Sequence, residues 1–144
     1  MPAPDKKSFD EYKKTQIETA NQGKLIVMLY DGAIKFLNIA IESMNPKTYD
    51  VVNTNILKTQ DIINELLFSL NMNEGGEISK NLFNLYMYFK RELLQANVQK
   101  DAEIIKKIVS LLKELRSAWD KISANETRSD NVNIGAKGSF SIEG

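Results

Sequence analysis

The stretch Asn21-Gln22-Gly23-Lys24-Leu25-Ile26-Val27-Met28-Leu29-Tyr30-Asp31-Gly32-Ala33-Ile34-Lys35-Phe36-Leu37-Asn38-Ile39-Ala40 decides the fold class. Apolar residues recur in it and just beyond as Ile26, Tyr30, Ala33, Leu37, Ala40 and Met44, the spacing of one face of an α-helix. Asn21 can cap a helix that begins at Gln22, and Asn45-Pro46 stops it. A second stripe, Leu25, Leu29, Phe36 and Ile39, lies beside the first. A helix that is apolar around so much of its circumference needs neighbours on several sides, so it is central to a bundle.

Working outward, three more segments carry the same period. A second helix starts at Thr48 or Asp50 and runs through Val52, Ile56, Ile63, Leu66 or Leu67, and Leu70, before Asn71 and Gly75-Gly76 break it. A third begins at Glu77 with Ile78, Leu82, Leu85, Phe89, Leu93 and Ala96, and ends near Asn97. Asp101 opens a fourth, with Ile104 or Ile105, Ile108, Leu111 or Leu112, Leu115, Trp119 and Ile122. The prolines stand at positions 2, 4 and 46, so long helices are permitted almost everywhere. Short links between helices favour antiparallel neighbours. The expected fold is all-α, an up-down-up-down four-helix bundle over residues 21–123.

Both ends fall outside that scheme. Residues 1–20 carry only Phe9, Tyr12 and Ile17 among polar neighbours, enough for a short helical or extended segment that must lean on something. Residues 124–144 are rich in Asn, Ser and Gly with isolated Val132, Ile134, Phe140 and Ile142. That composition predicts a flexible, disordered tail.

The composition narrows the chemistry. The chain has 144 residues, 42% of them hydrophobic and 26% charged, which suits one domain with one core. Nineteen basic residues balance nineteen acidic ones, so the footprint of a nucleic-acid or anionic-lipid binder is missing and neither partner is expected. The first residues lack a signal-peptide core, and the longest apolar run, Leu25 to Tyr30, is too short to span a bilayer. With no Cys to form disulfides, a cytoplasmic location and no membrane insertion are the expectation.

Histidine and cysteine are both absent, which removes Ser-His-Asp and Cys-His catalysis, thiolate zinc sites and the Glu-x-x-His ligands of a di-iron bundle. No cofactor or metal is expected. Asp61 and Glu65 sit one turn apart, but Lys58 shares their face, so they read as a solvated, salt-bridged surface. Gly75-Gly76 is not followed by Lys-Ser or Lys-Thr and reads as a turn rather than a phosphate cradle. Asn125-Glu126-Thr127 fits a glycosylation acceptor, which a cytoplasmic chain would not use.

The unusual feature is an apolar surplus. The third helix carries Phe83, Tyr86, Met87, Tyr88 and Phe89 beside its core stripe, more than one side of a helix can bury in a four-helix core. Taken singly, each aromatic is ordinarily explained by cover from a neighbouring helix. Taken together, the surplus suggests a groove that accepts an amphipathic helix or an extended peptide.

Several strings resemble one family in its order. Tyr12-Lys13-Lys14-Thr15-Gln16-Ile17-Glu18-Thr19-Ala20 leads into Leu25-Ile26-Val27-Met28-Leu29-Tyr30-Asp31-Gly32-Ala33-Ile34. Asp61 to Leu66, Leu85-Tyr86-Met87-Tyr88 with Ala96-Asn97, and Leu115-Arg116-Ser117-Ala118-Trp119 follow. Together, across residues 9 to 122, they resemble the bacterial flagellin export chaperones of the FliS family, with Met28 to Gly32 the most specific string. Gln22 departs from the pattern, since the family usually has proline there, a substitution that touches only the entry to the first helix.

The resemblance implies a four-helix bundle without enzymatic activity that binds the disordered C-terminal segment of flagellin. It also implies prevention of premature polymerisation and delivery to the export gate of the flagellar type III system. An N-terminal segment lying over part of the groove is implied as well, which would place Tyr12 and Ile17 against the bundle as a movable cover. For Ile17, structural support of the helix start is the rival reading. The groove residues expected on this basis are Tyr12, Ile17, Leu25, Met28, Ile56, Ile63, Tyr86 and Phe89. Plain core packing competes for Leu25, Ile56, Ile63 and Phe89.

Two other classes compete for the whole. The surplus face could mate with a copy of itself in a homodimer, and Asp31 with Lys35 could serve a carboxylate-and-lysine enzyme.

Overall fold

The computed structural model describes residues 22–132, with side chains as far as Ala124. Four helices follow one another: α1 (Gln22–Glu42), α2 (Tyr49–Ser69), α3 (Gly76–Gln99) and α4 (Ala102–Val132), with a 3-10 turn at Pro46–Thr48 before α2. Among the described residues there is no strand. The all-α bundle read from the periodicity is the fold observed.

Each joint has a local cause. The Asn45 side chain accepts the Lys47 N–H at 3.0 Å, which fixes the turn at Pro46. Thr48 turns its hydroxyl back to the Ser43 carbonyl at 2.6 Å, tying the end of α1 to the start of α2. Between α2 and α3, Asn71 accepts the Glu74 N–H at 3.0 Å, and the Ser79 hydroxyl donates to the Asn71 carbonyl at 3.0 Å. A Cβ on Gly75 would overlap the Ser79 hydroxyl, and Gly76 stands at φ +58°, so each of the two glycines has its own reason to be there. Asp101 accepts the Glu103 N–H at 2.9 Å and so caps α4.

Cross-helix pairs set the directions. Gly32 lies against Ile62 and Phe36 lies under the Lys58 ammonium, so α1 and α2 run antiparallel. Asn53 meets Asn97 while Gln60 meets Lys90, which makes α2 and α3 antiparallel. Gly23 meets Ser123 and Asp31 meets Arg116, giving the same relation for α1 and α4. The two residues Lys100 and Asp101 turn the chain from α3 into α4. The helices close a ring in which α1 packs on α2 and α4, and α3 packs on the same two from the other side.

The core is the one the stripes define. Tyr30, Leu37, Ile56, Ile63, Leu66, Tyr86, Phe89, Leu93, Ile105, Ile108 and Leu112 are all fully buried. Each adjacent layer contributes from several helices, which is how a bundle reaches crystal-like packing.

One boundary differs from the sequence reading. α4 does not stop near Ile122 but continues to Val132, so residues 124–132 belong to a helix and not to a tail. Between Ala102 and Val132 there is neither proline nor glycine, so nothing terminates a helix already nucleated by its packed first half. Polar composition alone could not signal a stop. Among the described residues, no helix is long and apolar enough to cross a membrane.

Candidate partner-binding surface

Among the described residues, five of the ten exposed large apolar side chains gather on one side of α2 and α3. Leu57 and Phe68 on α2, and Phe83, Leu94 and Val98 on α3, are all exposed, with Phe68 at 86% and Val98 at 74%. On each helix these residues recur at a spacing of eleven, Leu57 to Phe68 and Phe83 to Leu94, about three turns, so they stay on one face. The Asn53–Asn97 bond, 2.7 Å, and the Asn64–Lys90 bond, 2.7 Å, fix the register between the two helices. In that register Leu57 is level with Leu94, and Phe68 is level with Phe83. The outer seam between α2 and α3 is therefore a ladder, apolar rungs alternating with amide rungs, that runs most of the bundle's length.

The middle rung is polar and incompletely satisfied. Lys90 donates from its ammonium to the Asn64 side chain, and its carbonyl accepts the Gln60 amide N–H at 3.1 Å. The Gln60 carbonyl oxygen is buried and has no partner among the described residues. Turning that amide over would set its oxygen against the Lys90 carbonyl, so the orientation is fixed by the network.

The residues expected to line a groove separate into three groups. Leu25, 49% exposed, and Met28, 66% exposed, stand near the start of α1 and are accessible. Ile56, Ile63, Tyr86 and Phe89 are in the interior with almost no exposure, because they occupy the stripe positions that point at the other three helices. As the bundle stands, no partner reaches them. Tyr12 and Ile17 lie outside the described residues.

The seam residues Leu57, Phe68, Leu94 and Val98 were not singled out from the sequence. A signal was present. Each follows a core residue by one or two positions, as Leu57 follows Ile56 and Leu94 follows Leu93, so each is an apolar residue off the stripe.

Tyr86 belongs to a buried polar cluster. Its hydroxyl is 2.5 Å from that of Tyr30, either one being able to donate. The Trp119 indole, which can only donate, also bonds to the Tyr30 hydroxyl. Burial pushes the Tyr30 phenol up to about 12, while the bonds from Tyr86 and Trp119 hold it down in part. Tyr86 is likewise raised, first by burial and then by Tyr30 beside it. Both stay neutral, and the cluster joins α1, α3 and α4. It is a latch, not an acid–base site.

Other chemistry is sparse. Among the described residues no group of carboxylates is placed to hold a metal ion. Asp31, weighed above with Lys35, is engaged by Arg116 at 2.8 Å on the exposed α1/α4 side.

A family model described as flagellar protein FliS matches residues 5–126. The chain belongs to the FliS family. It is 32% identical over 120 residues to the flagellar secretion chaperone FliS of Bacillus subtilis, covering 83% of this chain and 89% of that protein. The FliS of Vibrio cholerae is 34% identical over 119 residues, covering 80% and 88%, and that of Salmonella typhimurium 36% over 111 residues, covering 76% and 82%. Three of the FliS-like strings meet in space among the described residues. Tyr30 and Asp31 of the Met28–Gly32 string contact Trp119 and Arg116 of the α4 string, and Tyr86 of the α3 string closes the cluster. In this FliS-family chain those three strings encode the latch that holds the bundle, while the Asp61–Leu66 and Ala96-Asn97 strings place Asn64 and Asn97 in the α2/α3 seam.

Proposed function

We propose that this chain is a cytoplasmic chaperone of flagellar export that holds the disordered C-terminal segment of flagellin along the α2/α3 seam. Family membership supplies the coarse part, a chaperone role in flagellar export. The observation that carries the finer part is the ladder of Leu57, Phe68, Phe83, Leu94 and Val98, exposed apolar side chains that the bundle itself does not use. A guest that forms an amphipathic helix on this seam presents apolar residues at the same period of about three turns and meets the amide rungs with polar ones between. Leu25 and Met28 extend the apolar surface toward α1, where residues 1–21 join the bundle. Tyr12 and Ile17 act there as a movable cover, displaced when the guest arrives.

The guest loses conformational entropy on ordering, which offsets part of the burial and keeps the complex releasable. Coverage keeps the segment from polymerising before export, and delivery to the export-gate component follows from the same releasable grip. No catalytic step is involved.

The test is calorimetry of the whole chain with a peptide spanning the C-terminal segment of the cell's own flagellin. Binding is expected with a strongly negative heat-capacity change and a gain in helical signal. The Leu57→Ser/Leu94→Ser variant should bind at least tenfold more weakly, which corresponds to roughly 1.4 kcal/mol, while its thermal midpoint stays close to that of the parent because both side chains already face outward. Equal affinity in parent and variant removes the seam as the site. Absence of any heat at high peptide concentration removes the client.

A further inference from the structure

The polar rungs of the α2/α3 seam are one-sided. An ammonium can only donate, so Lys90 at 2.7 Å fixes which end of the Asn64 amide is the oxygen, and Lys100 at 2.9 Å does the same for Asn97. Asn97 then donates to Asn53, which settles the third amide. What these side chains leave over is all of one kind. Each of the three carbonyl oxygens already accepts a bond, whereas among the described residues the Asn53 and Asn64 amide N–H groups and the remaining Lys90 protons have no acceptor. The charges beside the apolar rungs are sorted as well. Within one helical turn of Leu57 and Phe68, along the outer face of α2, stand Asp61 and Glu65, while Lys58 next to Leu57 is turned to Phe36 on α1. Within one turn of Phe83 and Leu94 on α3 stand Lys80, Lys90 and Arg91. Among the described residues none of Asp61, Glu65, Lys80, Lys90 and Arg91 is held in an ion pair. The seam is acidic along its α2 edge and basic along its α3 edge.

We propose that the seam selects a guest helix whose charge is divided the opposite way, with carboxylates along the edge that meets α3 and basic groups along the edge that meets α2, and that Lys90 is its specificity-determining residue. This rests on the reading of the seam as the guest site and names the class of guest it takes. A carboxylate at the middle rung accepts from Lys90 and from the free Asn64 amide N–H together, a charge-assisted pair. A second acceptor three turns along the guest, about 16 Å away, meets the Asn53 amide N–H. A helix with the same charge on both edges sets one edge against a wall of its own sign, which is how a surface rejects a wrong partner of the right apolar pattern. Apolar rungs thus supply the grip, and the rungs and edges between them decide which amphipathic helix is gripped.

The test uses the full chain and two designed fluorescent peptides of about 20 residues, long enough to cover the seam. Both carry leucines at the spacing of the ladder and lysines along one edge; the other edge is glutamate in the first peptide and lysine in the second. Fluorescence anisotropy should show the first binding about tenfold more tightly, the sum of a few exposed ion pairs, with the preference shrinking as salt is raised. Lys90→Glu/Arg91→Glu should reverse the order of the two peptides, a gain of binding that a misfolded variant cannot give. Lys90→Gln, which keeps a donor for Asn64, should reduce the preference without reversing it. Equal binding of both peptides by the parent overturns the proposal, as does a preference that Lys90→Glu/Arg91→Glu leaves unchanged, or failure of both peptides to bind. Undiminished binding of the first peptide by Leu57→Ser/Leu94→Ser overturns it together with the seam. A flagellin segment that does not bind while the peptide preference and its reversal are seen would remove only the client, and the selectivity would stand.

Discussion

Tyr30 holds two partners, whereas Tyr86 holds one, and that asymmetry can be measured. Tyr86→Phe removes one bond and leaves Tyr30 still accepting from Trp119, at a cost of about 1 kcal/mol. Tyr30→Phe strands both the Trp119 N–H and the Tyr86 hydroxyl, at a cost of about 1–3 kcal/mol. Denaturant titration of both single variants and the double should give that order, with the double less than additive; the reverse order would rule out the latch. The pH response has a definite sign. An unfolded tyrosine ionises near pH 10, whereas Tyr30 in the bundle is held up to about 12 by burial and Tyr86 is raised too. Above about pH 10 the unfolded chain sheds protons that the native chain keeps, so stability falls by up to ~1.4 kcal/mol per pH unit for each tyrosine. Below that pH the two states bind these protons alike and the contribution is flat. Melting followed by the single tryptophan should therefore fall steeply from pH 10 upward in the parent and more gently in Tyr30→Phe/Tyr86→Phe. At Gly23 the constraint is space. An added Cβ would lie 2.9 Å from the Ser123 Cβ, so Gly23→Ala should destabilise by about 1–3 kcal/mol through overpacking of α1 on α4, and Ser123→Gly in the same chain should recover part of the loss.

At the scale of the helix, an outward face can change without harm where an inward face cannot. Ile63→Ser places a hydroxyl in a fully buried position and should cost several kcal/mol, on the order of 3–5, whereas Phe68→Ser, at the 86% exposed position five residues later, should change the chemical-denaturation midpoint by no more than about 0.5 kcal/mol. Similar losses at both sites would mean that the seam is part of the core. The same contrast explains what could be read in advance. Stripe residues such as Tyr30, Ile56, Leu93 and Leu112 are legible because helical period fixes their direction, and a closed bundle has one inside. Start signals are legible for the same reason, as at Gln22 and Asp101. The end of α4 is not, because Asn125 to Asp130 lowers helix propensity without breaking the helix, and the competition is settled by a nucleus many residues away. Exposed seam residues are the least legible. Ile56, Ile63, Tyr86 and Phe89 look available only while the register between helices is unknown. Asn53–Asn97 and Asn64–Lys90 set that register, and it turns Leu57 and Leu94 outward in their place.

For the molecule as a whole, an uncovered apolar seam can be satisfied by a guest or by a copy. The two differ in how stability depends on concentration. A homodimer formed through Leu57, Phe68 and Leu94 is linked by mass action to its own folding, so its melting temperature climbs as the chain is concentrated. A monomeric chaperone melts at the same temperature at any concentration and is stabilised only by its client. The amide rungs favour the second case, since two copies would bring Lys90 of one seam near Lys90 of the other, whereas a guest helix can offer acceptors to both Lys90 and the amides. The melting temperature is therefore expected to stay constant over a hundredfold range of chain concentration. Adding the flagellin segment at a hundred times its dissociation constant should then raise stability by about 2.7 kcal/mol. A concentration-dependent melt that client peptide leaves unchanged would transfer the seam from chaperone to dimer interface.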